Sequence, residues 1–172
     1  MSNLLKEILD MVALPYKWLD SERAIFEFQD KKYGIFIDYQ VLNLSKSKVN
    51  VANISFGIIK RQFNKADDLD TSITNFGKPR TILSTVAEAC ISNKEIINCD
   101  IICLAASDQA KEKRLNIYSL ALSEIRSKVK KFKLANDIDI KVPNGTILTL
   151  LSTYLFSEDD KKLIFDKLGI SK

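Results

Sequence analysis

The amino-acid sequence predicts an α+β fold, with a mixed, mostly antiparallel sheet flanked by helices. Three observations lead there. The first third of the chain alternates apolar and polar residues with the period of a strand. Later stretches repeat apolar residues at helical spacing. Between them Ile96–Ala106 is almost wholly apolar, as expected of a central strand covered on both faces.

Each element has its own signal. Residues 3–13 read as a short helix, because Leu4, Leu5, Ile8, Leu9 and Val12 recur at helical spacing behind an Asn3 cap. Pro15 ends it. Tyr16–Leu19 is a brief strand and Ala24–Gln29 alternates. Tyr33–Val41 sets Tyr33, Ile35, Ile37 and Tyr39 on one face. The polar turn Gln29-Asp30-Lys31-Lys32 predicts a hairpin. Val49–Ile59 sets Ile54, Phe56 and Ile58 against Ser55 and Gly57, so these runs form an antiparallel meander.

Lys60–Asn75 is polar and predicts a solvated loop. Its Asp67, Asp68 and Asp70 lack the glycine and distal glutamate of a calcium loop. Pro79 suits a first helical turn, after which Ile82, Leu83, Val86, Ala89 and Cys90 share a face. Ser107 or Asp108 caps the next predicted helix, striped by Leu115, Tyr118, Leu122, Ile125 and Val129. Lys131–Val142 holds one strand, Pro143-Asn144-Gly145 turns, and Thr146–Leu151 is a second strand. Ser157-Glu158-Asp159-Asp160 opens a last helix, about 157–169, an appendage to a single domain over 1–172 that ends at Gly169.

Composition narrows the chemistry. A chain of 172 residues that is 46% hydrophobic and 28% charged can bury a real core. Histidine is absent, which excludes His-based acid–base work and Ser-His-Asp or Cys-His catalysis. Cys90, Cys99 and Cys103 are an odd number in apolar surroundings and read as buried reduced thiols, and no metal set is expected. A net charge of +4 admits an acidic partner without a concentrated basic face for nucleic acid. No membrane span or signal peptide is expected. The abundant Ile, Lys, Asn, Asp and Ser suggest an AT-rich genome such as a phage's.

Three places could carry chemistry. Asn75–Val86 joins the polar segment to a helix start, and its Gly77, Lys78 and Arg80 suit an anion. It is no P-loop, since Pro79 follows Gly77-Lys78 and Ser72 stands where the first glycine belongs. The plainer reading is a solvent-facing helix start. Arg114 and Tyr118 lie one turn apart, where a phenol can serve as a general acid or simply pack in the core. The basic run Arg126, Lys128, Lys130, Lys131 and Lys133 could contact phosphate, a membrane surface or an acidic protein, but more plainly reads as a solvated helix end, with only Phe132 interleaved for stacking.

The order helix, antiparallel strands, basic turn, helix, apolar strand, helix and two further strands resembles the GNAT family of N-acetyltransferases over residues 1–152. In that family an R/Q-x-x-G-x-G/A loop holds the acyl-CoA pyrophosphate, and a tyrosine in an A-x-x-L-Y-x-x-x-G-F-like helix is the acid. The loop falls here on Gly77 to Thr81, and Tyr118 aligns with the tyrosine. The resemblance therefore implies that an active enzyme would bind acetyl-CoA through Gly77, Lys78, Arg80, Thr81 and Ile82, with Tyr118 catalytic. Pro79 removes an amide donor from that loop, and no Gly-Phe follows Tyr118. Arg80-Thr81-Ile82-Leu83-Ser84-Thr85-Val86 is also similar to segments of uncharacterised tailed-phage proteins, over about residues 52–126.

The expected function is a phage-encoded, non-enzymatic binding or virion-associated protein on a GNAT-like fold, without a cofactor, in the host cytoplasm or the virion. Its expected partner is a protein or a virion assembly, and a homo-oligomer is compatible. The alternative is an acyl-CoA-dependent N-acyltransferase.

Overall fold

Alternation along the first third builds a sheet with two unlike faces. The structure, a computed structural model, describes residues 13–70, 79–106, 121–132, 136–141, 147–153 and 156–168. The strands are β1 (Tyr16–Trp18), β2 (Arg23–Phe28), β3 (Lys31–Asn43), β4 (Lys48–Ile59), β5 (Leu69–Asp70), β6 (Ile101–Ala106), β7 (Asn136–Lys141) and β8 (Ile147–Ser152). The helices are α1 (Pro79–Ser92), α2 (Lys94–Ile97), α3 (residues 121–128) and α4 (Glu158–Lys167). Residues 3–12 of the helix predicted at 3–13, the turn at 143–145 and Gly169 lie outside the described residues.

The sheet is mixed and mostly antiparallel, in the order β1-β2-β3-β4-β6-β8-β7, with β5 on β4. β1 to β4 form the expected meander. Gln29 and Asp30 turn the β2–β3 hairpin with φ of 50° and 62°, the left-handed pair that matches strand twist. Among the described residues, the one parallel pairing joins β4 to β6, Val51–Ile54 beside Ile101–Leu104. A parallel neighbour needs a long crossover, and the intervening chain contains α1 and α2.

One face carries Ala24, Phe26, Tyr33, Ile35, Ile37, Ala52, Ile54, Phe56, Ile102 and Leu104 in a single buried cluster. Over it lie Ile82, Leu83, Val86, Ala89 and Cys90 of α1, with Leu122, Ile125 and Val129 from α3 and the turn after it. The two helical stripes predicted there are the buried ones; Leu115 and Tyr118 lie outside the described residues. Thr85 fastens α1 to the chain before β1, its hydroxyl accepting from the Leu14 amide at 2.9 Å and donating to the Thr81 carbonyl at 2.8 Å. On the other face Leu42, Val49, Val51, Ile101 and Cys103 meet Ile164 and Leu168 from α4 and its C-cap. Both faces of β6 are thus covered, as its apolar run requires.

Two expectations need correction. Ile96–Ala106 is not one strand. Asn93 accepts from the amides of Glu95 and Ile96, capping α2, and β6 starts only at Ile101. Nor is the whole of Lys60–Asn75 a solvated loop. Asp68 is buried, and Leu69–Asp70 pair with Ile58 and Ile59 of β4. A short-range carboxylate network achieves this: Asp68 accepts from the amides of Asn64 and Lys65 and pairs with Arg61 at 2.9 Å.

Candidate functional site

In an open sheet, a crevice forms beyond the carboxyl ends of diverging parallel strands. The β4–β6 pairing ends at Ile54 and Leu104, although β4 runs on to Ile59 and β6 to Ala106. This parting is the candidate site, and α1 begins after it. It is partly filled from within. β5 lies against Ile58 and Ile59, and the Lys60 amide donates to the Asp68 carbonyl at 2.9 Å. Arg23 anchors the same segment from β2, donating through Nη1 to the Phe63 carbonyl at 2.7 Å. The amide of Asn64, foremost, holds the Asp68 carboxyl below its ordinary range, with further help from the Lys65 amide and the two nearby cations. The Asp68 carboxylate is therefore charged at neutral pH.

The proposed cofactor residues divide. Gly77, Lys78 and Tyr118, with Arg114, lie outside the described residues. Pro79 opens α1, as expected of its fixed backbone angle. Arg80 is exposed, whereas Thr81 and Ile82 turn into the protein, with Ile82 fully buried in the main cluster. Of the anion-binding side chains expected here, only Arg80 is described and exposed.

Other candidate chemistry is absorbed structurally. Cys90, Cys99 and Cys103 are free and buried. Burial pushes the Cys90 thiol to about 12 and Cys99 to about 11, and raises Cys103 further, so none supplies a thiolate at neutral pH. Within the basic run, Lys128 sits between Glu88 and Glu124, its Nζ bonded to the first and 3.2 Å from Oε1 of the second. That cation holds the Glu88 carboxyl low, while partial burial raises Glu124. Phe132 is fully buried, with Lys131 Nζ 5.2 Å from its ring centre, so this aromatic offers no stacking platform.

A concavity of about 260 Å³ lies between β3, β4 and the α2 region, lined by Tyr39, Asn50, Glu95, Asn98 and Cys99. Its principal polar groups already have partners. The Tyr39 hydroxyl donates to the Ser21 carbonyl at 3.0 Å, and the Cys99 Sγ to the Glu95 carbonyl at 3.3 Å. On the opposite face, Asn53 keeps a buried Oδ1 without a hydrogen-bond partner. Sequence reading missed β5 and Asp68. The signal was an Asp placed to accept the amides three and four residues before it, a pattern that the neighbouring Asp67 and Asp70 obscured.

No helix among the described residues is long and apolar enough to cross a membrane. Comparison with protein-family models, with curated proteins and with solved structures finds no match.

Proposed function

We propose that this chain is a non-enzymatic binding protein built on a GNAT-like frame, phage-encoded and acting in a virion or on a host protein. The succession of described elements supports the frame: antiparallel strands, a helix, a parallel strand, a second helix and a final antiparallel pair. One observation carries the non-enzymatic part. Beside the parting of β4 and β6, β5 already takes the β4 main chain at Ile58–Ile59. An extended ligand bonding to that edge would have to displace a segment anchored by Arg23, Arg61 and the Asp68 carboxylate. Pro79 further deprives the helix start of an amide donor.

Thermal unfolding with and without millimolar acetyl-CoA tests this reading. The expected result is an unchanged midpoint. A ligand at 100 times its dissociation constant stabilises by about 2.7 kcal/mol. A rise of that size, with acetyl transfer lost in Tyr118→Phe while the rise persists, would establish the acyltransferase instead.

A further inference from the structure

On the sheet face opposite α1, near the end of β4, lies a cavity of about 500 Å³, within the range of small-molecule sites of about 300–1,000 Å³. Register explains its chemistry. Lys17 stands across from Ile25, and Glu27 across from Lys32. Alternation puts these four on the face away from Phe26 and Tyr33, which are buried beneath the helices. Ile59 joins them from β4, and Pro15 closes one end. Its aliphatic lining comes from Ile25, Ile59 and Pro15, with Tyr16 and Phe26 also bordering it. The rim carries two ammonium groups and one carboxylate. Lys17 and Lys32 are exposed, and among the described residues neither takes part in an ion pair.

We propose that this cavity binds an aliphatic monocarboxylate, its chain on Ile25 and Ile59 and its head group between Lys17 and Lys32. Two exposed cations beside carbon surface favour an amphipathic anion over a neutral or cationic molecule of the same body. Glu27 sets the limit on charge. Directly opposite Lys32, it leaves the rim with one net positive charge and repels a second negative charge on the head group. A single-charged carboxylate fits that rim better than a phosphate monoester. The site does not depend on the non-enzymatic reading, because it lies over β1 to β4 and involves neither β6 nor α1.

Titration of the full-length protein with submicellar sodium decanoate, followed by amide NMR shifts, tests the site. Saturable shifts are expected at Lys17, Ile25, Glu27, Lys32 and Ile59. The double variant Lys17→Gln/Lys32→Gln should bind about tenfold or more weakly, as loss of charge-assisted contacts predicts. Decyltrimethylammonium should not saturate these positions. Decyl phosphate should bind more weakly than decanoate, and Glu27→Gln should abolish that difference. Shifts absent from these residues, equal binding of the cationic and anionic probes, or undiminished binding by the lysine variant would overturn the assignment. Decyl phosphate binding as tightly as decanoate would overturn the role of Glu27.

Discussion

Gly34 faces Gly57 across the β3–β4 ladder, and the missing side chain at position 34 is filled from above. A Cβ there would come within 2.7 Å of Leu69 Cδ2 and 2.8 Å of the Phe63 ring. Gly34→Ala should therefore unseat the Phe63–Leu69 segment, lowering stability by about 1–3 kcal/mol in urea titrations. An unaltered midpoint would mean that the ring does not pack on the sheet. Charge acts on a smaller scale at Lys128. Its removal in Lys128→Gln leaves Glu88 and Glu124 facing each other, for a loss of about 0.2–1 kcal/mol at pH 7, appropriate to a half-exposed pair. Glu88 has a folded-state value below its ordinary 4.5. Its contribution is present above that ordinary value and fades as pH falls through the lowered one. Unfolding at pH 7 and at pH 3 should thus show a smaller difference between variant and parent at the lower pH. A difference undiminished at pH 3 would assign the effect to packing.

Helix α4 shows how a local signal becomes a tertiary contact. Ser157 caps it by accepting the Asp160 amide, and Asp160 in turn accepts from the amide and hydroxyl of Ser45 in the β3–β4 turn. So docked, Ile164 and Leu168 cover Val49, Val51, Ile101 and Cys103. Truncation in Ile164→Ala should destabilise by about 2–5 kcal/mol. It should also speed alkylation of Cys103 relative to Cys90, which lies in the cluster on the other face, as read by peptide mass spectrometry. Equal acceleration at both thiols would point to global opening instead. The α4 cap was legible in the sequence because Ser157 and Asp160 are three residues apart, and so were the alternations of β3 and β4. The boundary of β6 was not. Asn93-Lys94-Glu95 carries the cap of α2, but the apolar run behind it dominated the pattern.

Taken together, the elements form one sheet with an apolar cluster against each face, the second reaching only β3, β4 and β6. Periodicity within each segment made that sandwich of layers readable, whereas the pairing of distant segments was not. The two-residue β5 is too short to show a period, and its place on β4 follows from side-chain bonds made by Asp68 and Arg23. The Lys17–Lys32 rim likewise exists only once β1, β2 and β3 have taken their register. Of the proposed cofactor residues, only Arg80, Thr81 and Ile82 have a described place.

Asn53 ends up in the middle of this sheet, paired with Asp38 on one side and Cys103 on the other. Its solitary buried oxygen makes position 53 the place where a selection for heat resistance should first find a winner. Asn53→Val removes an acceptor that gave up water and gained no donor, and it adds a β-branched side chain suited to a strand. The variant should unfold at a higher temperature, by an amount corresponding to about 1–3 kcal/mol. A lower melting temperature would show that the amide stabilises the sheet.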